Sequence, residues 1–392
     1  MGEVLLWAIA APPGLMLVYY SIEVLLGARR IPAHAFEALD GPVVIVIPAH
    51  NEELVISETV GSLRRRIRPE TTVLVVADNC SDRTAALAAE AGARVLERTD
   101  ASHLGKGFAL AFARDELARD PPAAVVVLDA DCSLERGKLE ELAGAAVSLG
   151  SPVQAVNLLK APQPASPLIL LSNFAFWIKN MIRARGVYRL AGGIPLFGTG
   201  MSFPWDLFAR LDLSTSDAVE DLKLAVDLAM DGTKVHLCEQ VEVVSDAASL
   251  GDSLGQRRRW EHGFLRIAAR KAVPLIFRGL ATRSRHLAVL GMHLAVPPLA
   301  LLMISAILGL VITSGGGSMT GHWLPAGALA AALTLAIAAT MTIWSLEGRK
   351  VIRFRDLVHA PLYILWKVPV YAGLFTSRQT RWNKTRRING RN

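Results

Sequence analysis

Val43-Val44-Ile45-Val46-Ile47-Pro48-Ala49-His50-Asn51-Glu52-Glu53 decides the fold. Five consecutive apolar, mostly β-branched residues read as a strand buried on both faces, ended by Pro48. The polar run behind it then turns into a helix over 52–66. The same alternation repeats downstream. Strands are expected at 72–77, 94–97 and 124–128, with helices at 84–91 and 106–117. Strands alternating with helices predict a Rossmann-like, mixed, mostly parallel α/β sheet with helices on both faces. Ligands bind such sheets at the carboxyl ends of the strands.

Three strand ends carry polar groups to that edge. They are Pro48–Glu53, Asp78-Asn79-Cys80-Ser81-Asp82 and Asp129-Ala130-Asp131. Ser81 and Asp82 can equally serve as caps of the next helix. Asp129 and Asp131 lie two apart at a strand end, so both carboxylates can approach one point. Such a pair repels unless a cation or proton lies between. Oxygen ligands of this kind suit Mg²⁺ or Mn²⁺ shared with substrate phosphates. Lys106, between two glycines at a helix start, can reach a diphosphate or can simply be solvated.

Asp217-Ala218-Val219-Glu220-Asp221 opens a helix running to about 230. Asp217 and Glu220 have the spacing of a capping box, which leaves Asp221 as the candidate general base. Gln256, Arg259 and Trp260 share one helix face. Arg suits phosphate and Trp suits the face of a sugar. Residues 166–185 fit an interface helix or a core helix equally.

The flanks are membranous. Hydrophobic residues make up 52% of the 392, which excludes a disordered chain and an ordinary soluble enzyme. Residues 4–26 form an apolar run long enough to cross a bilayer. Basic Arg29 and Arg30 follow it, so an uncleaved anchor with its N-terminus outside is expected. Further spans are expected at about 287–312 and 324–346, joined by an uncharged outer loop over 313–323. Residues 357–375 are flanked by basic residues on both sides and read as an interfacial or re-entrant helix. The tail with Arg378, Arg381, Lys384, Arg386 and Arg387 suits anionic headgroups. The net charge of +7 therefore implies no nucleic-acid partner. Cys80, Cys132 and Cys238 have no disulfide or zinc spacing. The expected organisation is an anchor (1–27), a cytoplasmic catalytic domain (28–285), two spans (286–347), and an interfacial helix with a tail (348–392).

The ordered series Pro48–Glu53, Asp78–Asp82, Lys106, Asp129/Asp131, Phe197–Gly200, Glu220/Asp221 and Gln256–Trp260 resembles the membrane-bound family 2 glycosyltransferases of the GT-A fold. These include cellulose, hyaluronan, chitooligosaccharide and poly-N-acetylglucosamine synthases. The resemblance covers about 42–265. It implies an inverting transfer from a UDP-sugar to a growing cell-surface polysaccharide, or of one sugar to a polyprenyl-linked or other lipid acceptor. A degenerate, non-catalytic membrane scaffold is the reading of another class.

The resemblance also implies residue roles. Ala49, Asn51, Glu52, Asp78, Lys106, Asp129, Asp131 and Arg259 would bind the donor, Asp78 at the uracil. Asp131 and Asp129 would hold the metal, Mg²⁺ or Mn²⁺. Phe197, Gly198, Thr199, Gly200, Glu220, Gln256 and Trp260 would meet the acceptor, and Asp221 would be the base. Val219 departs from the Thr of the family's Thr-Glu-Asp motif. A bacterial inner-membrane location is implied, with an export partner or self-association if the product is a polymer. Regulation through a cyclic-nucleotide domain is not expected.

Overall fold

The computed structural model describes residues 2–32, 39, 41–162, 164–217, 219–246 and 250–376. It begins with the apolar helix α1 (Gly2–Leu26). The elements of the sheet follow, with β1 (Val43–Ala49), α2 (Ile56–Arg64), β2 (Thr72–Asp78), α3 (Thr84–Glu90) and β3 (Arg94–Arg98). Next come α4 (Lys106–Leu117), β4 (Ala124–Val127), β5 (Cys132–Arg136), α5 (Leu139–Leu149) and β6 (Val153–Lys160). A long helix is built from α6 (Pro167–Trp177), a π-helical stretch (Ile178–Arg183) and α7 (Ala184–Ala191). The sheet closes with β7 (Met201–Pro204), α8 (Trp205–Phe208), α9 (Glu220–Met230) and β8 (His236–Asp246).

The eight strands run in the order β3-β2-β1-β4-β7-β6-β8-β5. β3, β2, β1 and β4 are parallel neighbours, as is β6 with β8, whereas β7 and β5 pair antiparallel. The sheet is thus mixed. In β1 the side chains divide with a period of two. Val44 and Val46 join the core shared with α4 and the apolar helices. Val43, Ile45 and Ile47 join the opposite core under α2 and α5. Burial on both faces explains the unbroken apolar run. Pro48 does not end β1, which continues to Ala49 beside β2. By then the partner strand β4 has ended, so the proline sits where one neighbour is gone. The following helix starts at Ile56 rather than 52, because 50–55 form the turn that meets β2.

α10 (Leu250–Ala281) and α11 (Arg285–Ala295) lead to α12 (Leu299–Thr320) and α13 (Leu324–Leu346). The expected span at 287–312 is corrected here. Val296 is extended, and Pro297 and Pro298 break the helix between α11 and α12. Proline lacks the N–H and disfavours helix in the residue before it. The expected loop over 313–323 is also mostly helical, with only residues 321–323 turning. In an apolar medium the helix satisfies its own backbone, so glycines persist in it. α1, α12 and α13 are long and apolar enough to cross a bilayer, and this is consistent with an integral membrane protein.

α14 (Phe354–Leu357) and α15 (Ala360–Thr376) follow. α15 lies along α10: Lys367 pairs with Glu261, and Val370 O meets His262 Nε2 at 2.7 Å. The basic tail expected at 378–387 lies outside the described residues. The helix over 166–185 is a packed one: Phe174, Trp177, Ile178 and Ile182 are buried. Its Arg183 pairs at 2.5 Å with Glu23 of α1.

Candidate active site

The ends of β1 and β2 are tied together by polar side chains. Asn51 (φ 54°) and Asn79 (φ 52°) take the left-handed conformation that asparagine tolerates. Asn51 Oδ1 accepts from Ser81 N at 2.7 Å, and Thr84 Oγ1 accepts from Glu52 N at 2.7 Å. Arg98 donates to Asp78 at 2.6 Å, and both side chains are about nine-tenths buried. Asp82 accepts from Thr84 N at 3.0 Å, so its bland capping role is real.

From this edge a cavity of about 620 Å³ opens. Ala49, Glu52, Asp78, Lys106, Asp129, Asp131, Phe197, Gly198, Thr199, Glu220, Asp221, Gln256, Arg259 and Trp260 all line it. Asn51 and Gly200 are not in the lining. Asn51 instead locks the two strand ends. Gly200 (φ 66°) sits where a Cβ would come within 3.0 Å of Ala155 Cβ, so it lets β6 and β7 close up.

Lys106 is the hub. Its ammonium donates to Asp129 Oδ1 at 2.5 Å and to Gly198 O, and lies 3.7 Å from Glu220 Oε1. Burial alone would push this lysine down, but Asp129 and Glu220 more than reverse that, and it stays charged. The capping box expected at α9 does not form. The residue before Glu220 offers no side-chain cap, and Asp217 accepts from Arg266 at 2.5 Å instead. Glu220 therefore points to the cavity rather than to a cap. Burial pushes it up to about 7, against the pull of Lys106. Burial likewise raises Asp221, again against Lys106. A carboxylate raised in this way is a better proton acceptor near neutral pH.

Asp129, Asp131 and Cys132 bring ligand atoms within 4.8 Å of one another. Cys132 is buried, contacts Thr199 Oγ1 and Ser245 Oγ, and burial drives its thiol up. A neutral thiol suits a hard cation poorly. The donor set is therefore the two carboxylates, which fit a Mg²⁺ or Mn²⁺ completed by phosphate oxygens.

Motif reading missed several groups. Gln154 is fully buried, accepts from Phe197 N at 2.9 Å and donates to Thr199 O at 2.8 Å, which fixes the 197–200 loop. Asn157 donates to Phe197 O at 3.1 Å. The available signal was two amides inside an otherwise apolar strand. Arg98 and Lys179 were missed for want of any motif. Gly198 (φ 84°) carries that loop past the acid: a Cβ there would lie 3.2 Å from Asp221 Oδ2.

A model of glycosyl transferase family 2 matches residues 44–201, and one of glycosyl transferase family group 2 matches 124–346. The latter spans more than half of the chain, which belongs to this family of glycosyltransferases. No curated protein matches it. Among solved structures, the chain is similar to the mannosyltransferase PcManGT from Pyrobaculum calidifontis in complex with GDP-Man and Mn2+. That match has 18% identity, covers 94% of this chain and 100% of that one, and has a TM-score of 0.57. Weaker likenesses are to S. aureus TarS (15% identity; 58% and 39% covered; TM-score 0.38) and M. tuberculosis glucosyl-3-phosphoglycerate synthase (19%; 58% and 80%; 0.37). At 18% identity the first of these speaks for the GT-A-like fold alone.

Proposed function

We propose that the chain transfers a sugar from a UDP-sugar to an acceptor hydroxyl at the membrane face, with inversion at the anomeric carbon. The observation that carries this reading is the single cavity in which Asp78, the Asp129/Asp131 pair, Asp221 and the Gln256/Arg259/Trp260 face meet. Asp78, held by Arg98, faces the base of the nucleotide, with Ala49 and Glu52 beside it. Asp129 and Asp131 hold Mg²⁺ or Mn²⁺, which when bound neutralises charge on the diphosphate. Lys106 and Arg259 add fixed positive charge on the same side. Asp221 takes the proton of the attacking hydroxyl. A single displacement needs one base, and an α-linked donor then gives a β-linked product.

The acceptor is read as membrane-borne, because the cavity lining continues to Tyr20 of α1 and to residues 296–300. Transfer of one sugar to a lipid acceptor fits this apolar lining. A growing cell-surface polysaccharide is the second reading. It is favoured by Trp260 and Phe176, whose rings lie 6.0 Å apart on the acceptor side, and it calls for an export partner or self-association. We place the catalytic unit in the cytoplasm, probing the bacterial inner membrane from its basic side, with the boundaries 1–27, 28–285, 286–347 and 348–392.

The test is calorimetric binding of UDP-, GDP- and dTDP-sugars to the purified chain with and without Mn²⁺. One UDP-sugar binds only with metal. Asp131→Ala weakens that binding by more than about tenfold; unchanged affinity would contradict the metal role. The pH profile gives a second prediction. Asp221 works deprotonated, so kcat/KM falls as pH drops through its raised value, above the usual carboxylate range. Lys106→Met removes the charge that holds Asp221 and Glu220 down, so the acidic limb moves to higher pH in the residual activity. A limb that stays in place would contradict the assignment.

A further inference from the structure

The cavity does not end at Asp221. Its lining continues through Lys179, Asn180 and Arg183 to Tyr20 of α1 and the break before α12. Lys179, Asn180 and Arg183 come from the π-helical stretch, a local widening common at functional sites. Most cations around this lobe have a carboxylate. Arg183 has Glu23, which also lies 2.8 Å from His293 Nδ1, and Lys367 has Glu261.

Two cations have no carboxylate in contact among the described residues, although Asp221 and Glu261 attract Lys179 from further off. Neither Lys179 nor Arg257 makes a hydrogen bond or a contact ion pair with another described residue. Arg257 is only 8% exposed, and its Nε is buried without a partner. It rests against the faces of Phe176 (5.9 Å) and Trp260 (6.0 Å). A buried guanidinium with no carboxylate in contact is costly, and the Lys179 ammonium in the same lobe adds repulsion. Both line the same cavity as Asp221.

We propose that Lys179 and Arg257 form an anion subsite for the acceptor, which is a membrane lipid whose headgroup carries a phosphate beside the attacking hydroxyl. This rests on the reading of Asp221 as base and names the acceptor class for it. The phosphate sits at the two cations, for which Arg is well shaped. The hydrocarbon leaves along residues 296–300 and Tyr20, which offer an apolar path to α1 and α12. In the transfer, the headgroup oxygen bonds to the anomeric carbon as the bond from that carbon to the diphosphate breaks. The electron pair leaves with the nucleoside diphosphate and the hydroxyl proton goes to Asp221. The acceptor phosphate is unchanged.

The test uses the full chain as Asp221→Asn, in nanodiscs of phosphatidylcholine, so that binding is read without turnover. Native mass spectrometry compares phosphatidylinositol, which has phosphate and hydroxyls, with monoglucosyl diacylglycerol, which has hydroxyls only. Soluble glycerophosphoinositol tests the headgroup without its chains. Phosphatidylinositol is expected to bind more than about tenfold tighter than the glucolipid, as charge-assisted contacts require. Lys179→Gln and Arg257→Gln each remove that preference and leave donor affinity within about twofold, whereas Lys179→Arg retains it. The soluble headgroup binds more weakly than the lipid. No preference between the two lipids would overturn the subsite, as would an equal loss for both in the variants, or a loss of donor affinity. Equal binding of the soluble headgroup would overturn the lipid part. A preference that holds in binding, while the unsubstituted chain glycosylates neither lipid, would sustain the anion subsite and overturn the reading of the bound lipid as acceptor; the base assignment is tested separately by the turnover of Asp221→Asn.

Discussion

Asp221→Asn lowers kcat by about 10²–10⁴-fold while donor binding persists. The substitution keeps the side chain's shape, and among the described residues Asp221 Oδ1 accepts only from Leu222 N, at 2.8 Å, a bond the amide oxygen can keep. What is lost is the ability to take a proton in a site where burial has raised the acid. The neighbouring Glu220 does not replace it, since it faces Lys106 and Arg259 rather than open space. The measurement is steady-state product formation beside calorimetric donor affinity. Turnover near the unsubstituted rate would remove Asp221 from the mechanism. Loss of donor affinity would make it a structural residue.

Arg185→Met is the second large effect, on stability rather than chemistry. Arg185 is almost wholly buried and pairs with Glu239 of β8 and, at 2.8 Å, with Glu347 just beyond α13. Its Nη1 also reaches Gly27 O at the end of α1. One guanidinium therefore fastens the sheet to the ends of two long apolar helices. Removing it leaves two carboxylates facing each other, and breaking a buried pair costs about 3–5 kcal/mol. Glu347 retains some solvent contact, so the lower end of that range is expected. Thermal unfolding in detergent reads the loss, and Glu239→Gln in the same chain recovers part of it. An unchanged midpoint would show that the clamp does not join the two parts.

The sheet was legible because buried parallel strands leave a plain trace: 43–47, 72–77 and 124–128 are short apolar runs followed by polar turns. The helix at 106–117 was read to its observed ends. Less legible were features set by neighbours in space. Pro48 stays in its strand because β4 has already ended beside it, and no local rule reports that. Asp217 has the spacing of a cap but finds Arg266, distant in sequence, a better partner. The glycines at 315–317 looked like a loop, yet the helix continues through them to Thr320. Among the site groups, the acidic strand ends and the Gln256–Trp260 face stood out as motifs. Gln154 and Arg98 are held by partners distant in sequence, and Lys179 and Arg257 stand out only because they line the folded cavity.

The most direct test of single displacement by one base is the anomeric configuration of the first product. It is read by NMR from the coupling at the anomeric proton, using an α-linked nucleotide sugar and the unsubstituted chain. The account predicts a β-linked product. An α-linked product would contradict it, because retention requires a second displacement or a front-face path that Asp221 alone does not provide.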